Sequence, residues 1–270
     1  MANAIVNGVD LYYELKGNDT AEETVVFLNG VMASTSSWAY QLPVFEKTGF
    51  KILLHDFRGQ LKSEKPSGTY TFAQHALDTK MLMEHLGIKK AHIIGTSYGG
   101  EVAMRLAMDY PEIVKTIAII DSVSELDEVL RNFVSGWIHL AEQKDGEKFF
   151  WGMLPSIYGN DFIQNNHDLL QKRAQGMTQV PEDYFDGQIN LYHTFLQDVT
   201  MTEELNKIQC PTLVVCGAND ILKPPKFSKI IANQIPNAEF ALIPDCGHVT
   251  IFEKPDMLNS MLLGFVIKNK

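Results

Sequence analysis

Residues 91–109 read AHIIGTSYGGEVAMRLAMD, and three signals follow one another in this stretch. Ala91 to Gly95 is a short apolar run of the kind that forms a strand buried on both faces. Tyr98 to Asp109 reads as a helix. Between them Gly95-Thr96-Ser97-Tyr98-Gly99-Gly100 fits the pattern G-x-S-x-G. The bare pattern recurs by chance, and a Gly-rich turn with an N-capping serine would fit the same letters. Its setting gives it weight, because a serine held on a sharp strand-to-helix turn needs a strand directly before it and a helix directly after. Such a turn leaves the hydroxyl exposed at the carboxyl edge of a sheet. Small residues two before and two after the serine let strand and helix pack closely around it.

Outward from this turn, strand and helix signals alternate. AIVNGV and DLYYEL, split by Asn7-Gly8, read as a hairpin, since that dipeptide accepts the positive φ of a tight turn. TVVFL (24–28), KILLHDF (51–57) and KTIAII (115–120) read as buried strands, with a helix predicted from Ser37 to Glu46. Thr71 to Leu86 carries a helical apolar stripe that Gly87 closes. After residue 205 the alternation returns. PTLVVCG (211–217) and AEFALIP (238–244) are strands, and Pro225–Gln234 and Pro255–Lys268 are helices, the last with proline at its first turn. This pattern predicts an α/β fold, a mostly parallel central sheet with helices on both faces. Residues 122–200 break the rhythm with helix-length segments, many aromatics and no convincing strand. The expected division is therefore a core of residues 1–121 and 201–270 and a helical cap of residues 122–200, inserted after the sixth strand.

Composition narrows the function. The 270 residues are 45% apolar and 21% charged, as in ordinary soluble domains, with a net charge of −10. A nucleic-acid partner usually calls for a basic footprint, so none is expected. No apolar stretch is long enough to span a membrane. MANAIVNGVDLYYELKG lacks a basic region followed by an apolar run, so no secretory signal is expected. Three cysteines, Cys210, Cys216 and Cys246, are an odd number in a chain that needs no staples, which suits a reducing cytoplasm. Their C-x5-C spacing is not a zinc pattern; no metal and no cofactor are expected.

A serine hydroxyl needs a base to become a nucleophile. Of eight histidines, His248 stands out, in Asp245-Cys246-Gly247-His248, just past the last strand. His75 and His85 fall on a helix. His92 starts a strand, His55 ends a different one, and His139, His167 and His193 lie in the insertion. The base in turn needs an acid to set its tautomer. Asp220, in Gly217-Ala218-Asn219-Asp220 after PTLVVCG, is the first choice, and Asp121 is the second. Ser97, Asp220 and His248 then share one sheet edge, in the order Ser…Asp…His. The backbone N–H of Tyr98, at a helix start, and that of Val31, in the loop after TVVFL, are the expected oxyanion donors, with Met32 as the reserve. Gly30, Met32 and Trp151 are the expected substrate-contacting residues.

On these motifs the chain resembles the α/β-hydrolase fold family, serine esterase type with a helical cap, nearly end to end. Asn29-Gly30 stands where the family usually has His-Gly. Asp56-Phe57-Arg58-Gly59 matches its Asp-x-Arg-Gly turn, Gly95 to Gly100 its nucleophile elbow, and Gly247-His248 with Glu253 and Pro255 its Gly-His-x4-Glu-x-Pro ending. The resemblance implies Ser97 as nucleophile, His248 as base, Asp220 as acid and Val31 and Tyr98 as oxyanion amides. Asn29, Leu61 and Thr96 depart from the family pattern; Asn29 is expected to keep the loop by local hydrogen bonding. Relatives with an aspartate at the elbow, epoxide hydrolases and haloalkane dehalogenases, are disfavoured by Ser97. Glu101, one turn into the helix, stays open between a hydrogen-bonding role near the site and simple solvation.

The expected function is that of a carboxylesterase: a serine hydrolase cleaving carboxylic esters of small to medium, largely apolar substrates through an acyl-enzyme. The alternatives are carbon–carbon or lactone hydrolysis or perhydrolysis with the same triad, or a ligand-binding signalling module with little turnover. The expected partner is a small-molecule ester, with a homodimer as the candidate assembly and neither nucleic acid nor membrane.

Overall fold

The computed structural model describes residues 2–270. Its strands are β1 (Ala2–Val6), β2 (Val9–Gly17), β3 (Thr24–Leu28), β4 (Lys51–His55), β5 (Ala91–Thr96), β6 (Val114–Ile120), β7 (Thr212–Gly217) and β8 (Glu239–Ile243). They form one sheet in the order β1-β2-β4-β3-β5-β6-β7-β8. β2 pairs antiparallel with β1 and with β4, and every other pairing is parallel. Asn7 and Gly8 make the first turn with φ of 46° and 71°, the two positive values that a two-residue hairpin of this hand needs.

Before the sixth strand the helices are α1 (Leu42–Glu46), α2 (Phe72–His85) and α3 (Tyr98–Asp109). Then come five without an intervening strand: α4 (Glu128–Glu142), α5 (Gly146–Ile157), α6 (Asn160–Asn165), α7 (His167–Met177) and α8 (Glu182–Asp198). α9 (Pro225–Gln234), α10 (Thr250–Glu253) and α11 (Pro255–Lys268) complete the chain. The helix expected over Ser37–Glu46 is broken. A single tight turn covers Thr35–Trp38, and a new helix starts at Leu42. Pro43 explains the break, since a ring without an N–H fits the first turn of a helix and not its interior.

The central strands are apolar on both faces because both faces are covered. Val26 and Leu28 of β3 join Ile93, Ile117 and Ile119 in a core beneath α2, α3 and α9. Val25 and Phe27 point the other way, with Ile94, Ile120 and Val215, toward α1 and α11. Phe27 is fully buried, with Trp38 and Phe45 at ring separations of 4.7 and 5.3 Å. Each such side chain contributes about 1.5–3 kcal/mol by leaving water. The outer strand β8 lacks a second neighbour and leaves Phe240 and Leu242 partly exposed. Among the described residues no helix is long and apolar enough to cross a membrane.

The sharpest steric constraint lies where β5 turns into α3. A Cβ placed on Gly95 would lie 2.1 Å from the Gly99 carbonyl oxygen, and one on Gly99 would lie 2.1 Å from that of Leu28. The helix therefore seats backbone on backbone against the ends of β3 and β5. Gly99→Ala is expected to destabilise the protein by about 3 kcal/mol, the upper end of overpacking costs, because backbone and not a flexible side chain must yield. Urea denaturation measures this directly.

Candidate active site

Ser97 sits between β5 and α3 with φ 51° and ψ −120°, a left-handed backbone that non-glycine residues adopt only where the surroundings force it. Two bonds supply that force. The Ser97 N–H donates to Ile120 O at 2.7 Å, and the Gly100 N–H donates back to Ser97 O at 2.8 Å. The Ser97 hydroxyl lies 3.0 Å from His248 Nε2. His248 Nδ1 lies 2.7 Å from Asp220 Oδ2. The other oxygen of Asp220 already accepts the N–H groups of Leu222 and Lys223, both at 2.9 Å. With Asp220 acting as acceptor throughout, Nδ1 carries the proton and Nε2 is left to accept from Ser97. Three residues 151 and 28 positions apart thus stand in one hydrogen-bonded row.

Burial works against charge on the His248 ring. The Asp220 charge and hydrogen bond, with Asp121 behind them, outweigh it, so the His248 pKa is raised above the ordinary 6.5. Asp121, the second candidate acid, does not touch that ring. Its carboxyl accepts the Gly217 N–H at 2.9 Å and the Thr250 hydroxyl at 2.7 Å, tying β7 to the segment after His248. Burial first, and then the Asp220 charge, push Asp121 up to about 7.

The histidine loop is held by Glu253. Its carboxylate accepts from Gly247 N at 2.9 Å, Val249 N at 3.3 Å and Gly159 N at 3.2 Å. This gives the Gly-His-x4-Glu spacing its physical reason. The bond to Gly159 also docks the helical insertion onto the loop. Asn29 does keep its loop by local bonding. Its amide donates to His55 O at 2.9 Å, and its oxygen accepts Trp38 Nε1 at 2.9 Å. Gln60, which the sequence did not single out, donates to Gly30 O at 2.7 Å. Because the peptide is trans and planar, anchoring that carbonyl directs the Val31 N–H to the opposite side. Neither Val31 N nor Tyr98 N donates to a protein acceptor among the described residues. Both residues line the cavity that holds the Ser97 hydroxyl.

That cavity has a volume of about 540 Å³, within the range of small-molecule sites. Its floor is the sheet edge with Gly30, Val31 and Met32, and α4, α5 and α8 roof it with Val134, Trp137, Phe150, Tyr192 and Phe195. Trp151, expected here, does not line it. Phe150 and Ile157, two turns apart, share the cavity face of α5, and the next position round the helix turns Trp151 toward His167, with rings 6.3 Å apart. Other aromatics of the insertion, Phe149, Tyr184 and Phe185, pack against one another in edge-to-face pairs instead.

Glu101 resolves as a hydrogen-bonding group. It is fully buried, accepts the Val123 N–H at 2.8 Å and pairs with Lys223 Nζ at 2.9 and 3.1 Å. Burial raises the Glu101 pKa, and Lys223 acts against that rise. The pair joins the helix that follows Ser97 to the loop that carries Asp220. Lys223 had no local signal beyond its place three residues after Asp220.

A family model for the alpha/beta hydrolase fold matches residues 23–255, so the chain belongs to that family, and its general class is hydrolase. A solved alpha/beta hydrolase enzyme, MGS-M2, from a Medee basin deep-sea metagenome library, is 31% identical with a TM-score of 0.93, over 100% of this chain and 98% of that one. A protein of Caulobacter vibrioides named as carbamate hydrolase RutD is 28% identical over 98% of this chain and 99% of its own length. Est816, described as an N-acyl homoserine lactone degrading enzyme, is 26% identical with a TM-score of 0.81, over 98% of this chain and 100% of its own.

The buried pair sets up a double-mutant cycle. Lys223→Met strands the Glu101 carboxylate and is expected to cost about 3–5 kcal/mol. Lys223→Met combined with Glu101→Leu should recover most of that loss. Chemical denaturation of the two single variants and the double variant measures both quantities.

Proposed function

We propose that the chain is a serine hydrolase of carboxylic esters with small to medium, largely apolar substrates, working through an acyl-enzyme. The observation that carries this reading is the 3.0 Å and 2.7 Å row from Ser97 through His248 to Asp220, opening into an apolar cavity. Ser97 Oγ attacks the ester carbonyl while His248 Nε2 takes its proton. The oxyanion that forms accepts the N–H groups of Val31 and Tyr98, and losing one such donor typically costs roughly 3 kcal/mol of transition-state stabilisation. Collapse expels the alcohol, which takes the proton back from His248. Water, deprotonated by the same nitrogen, then attacks the acyl group and frees Ser97 and the acid. In this reading residues 122–200 are a cap that shapes the pocket and keeps bulk water out. The three free cysteines, two of them buried, support a reducing, cytoplasmic setting.

Lactone or carbamate opening by the same groups is the second reading, favoured by the names of two relatives. Both bonds present a carbonyl to the same serine, and a panel of esters of graded acyl length, lactones and carbamates ranks them.

Ser97→Ala and His248→Ala should each lower kcat by roughly 10⁴-fold or more, and the double variant should be little worse than either, since the groups act as a unit. A fluorophosphonate should label Ser97 one to one, and a nitrophenyl ester should give a burst. Wild-type protein with neither labelling nor burst would overturn the proposal. The pH profile supplies a further test. The neutral imidazole is the base, so kcat/KM rises with pH through the His248 pKa. Because that pKa is raised, the midpoint should lie above 6.5. A midpoint clearly below 6.5 would contradict the Asp220 pairing.

A further inference from the structure

The side chains lining the cavity include two basic groups, Arg173 and Lys223, and no aspartate or glutamate, in a chain of net charge −10. Lys223 is occupied, with both Glu101 oxygens within 3.1 Å. Arg173, on α7, is different. No carboxylate oxygen of the described residues lies within 4.0 Å of it. One of its five N–H donors is used, by Nη1, on the Tyr158 hydroxyl at 2.5 Å. The guanidinium carbon lies 4.2 Å from the centre of the Phe252 ring. The side chain is half-buried, and its Nε–Nη2 edge has no protein acceptor.

A guanidinium stays charged at every working pH, and a cation–ring contact with a single hydrogen bond holds it in place without neutralising it. The Nε–Nη2 edge presents two parallel N–H groups, the spacing that matches the two oxygens of a carboxylate. In a cavity with largely apolar walls and no carboxylate among its described lining side chains, this edge belongs to a cation that no protein anion neutralises.

We propose that the substrates of this chain carry a free carboxylate besides the carbonyl that is cleaved, and that Arg173 binds it. The chemical class is the half-ester of a dicarboxylic acid, with an apolar chain between the two ends. This refines the esterase reading and rests on it in naming the ester bond. The apolar lining holds the chain, Arg173 selects its anionic end, and the pair together set the register of the carbonyl over Ser97.

Two measurements test the proposal separately from the esterase reading. In the first, kcat/KM is compared for 4-nitrophenyl hydrogen adipate and 4-nitrophenyl hexanoate, which share leaving group and chain length and differ in the terminal charge. Rates are corrected for hydrolysis without protein. The ratio of the two should fall about 10–100-fold in Arg173→Gln, mainly through KM, the range expected for losing a charge-assisted pair. Arg173→Lys should restore part of it. A ratio that Arg173→Gln leaves unchanged would mean that Arg173 only packs the insertion, and the proposal would fail.

The second measurement needs no turnover. Calorimetry on Ser97→Ala should show methyl hydrogen adipate binding at least tenfold more tightly than dimethyl adipate, with the difference lost in Ser97→Ala/Arg173→Gln. Shorter half-esters, the glutarate and succinate, map the span between the two ends. Equal binding of charged and neutral esters overturns the Arg173 assignment and leaves the esterase reading intact. Charge-selective binding without turnover of either nitrophenyl ester does the reverse.

Discussion

The backbone contact at Gly99 is the constraint on which the rest depends. Because Gly95 and Gly99 have no side chains, α3 can begin directly on the ends of β3 and β5. That close seat, together with the bonds of Ser97 N–H to Ile120 O and of Gly100 N–H to Ser97 O, holds Ser97 in its left-handed conformation at the sheet edge. At the start of α3 the Tyr98 N–H is left open among the described residues, because the first turn of a helix lacks internal acceptors for its leading amides. This one turn therefore sets the position of the hydroxyl and one of the two donors beside it.

The remaining groups reach Ser97 because parallel strands end at the same edge. β5, β6 and β7 run side by side, and the segments that follow them carry Ser97, Asp121 and Asp220 at one edge of the sheet. β8 adds the loop of His248. Three carboxylates, Asp121 and Glu101 buried and Glu253 half-buried, brace these loops: Asp121 ties β7 to the segment after His248, Glu253 gathers three N–H groups around it, and Glu101 with Lys223 fastens α3 to the Asp220 loop. Each carboxylate gives up water at a cost and is matched by several donors, which makes a stiff support and not simply a stable one.

The cavity divides labour between the two parts of the chain. The sheet edge supplies fixed polar groups, and the helical insertion supplies apolar walls and Arg173. The insertion's register is set by which face of each helix is apolar, which is why Phe150 faces inward and Trp151 does not. Sequence proximity on a helix says little about sharing a face, since neighbours are turned by about 100°.

The sequence alone determined the order of the strands and of the main helices outside residues 122–200, the elbow around Ser97 and the choice of His248 and Asp220 as its partners. These were legible because they are local: a strand run, a turn dipeptide or a motif fits within about ten residues. The broken helix after Thr35 was less visible because Pro43 is compatible both with a helix start and with a kink. Only the tertiary structure decided that Glu101 meets Lys223 from 122 positions away, that Gln60 anchors the Gly30 carbonyl, and that Arg173 lies over Phe252 without a carboxylate partner among the described residues. Those pairings depend on how separate elements pack in space, and a linear pattern of residue types holds no record of that distance.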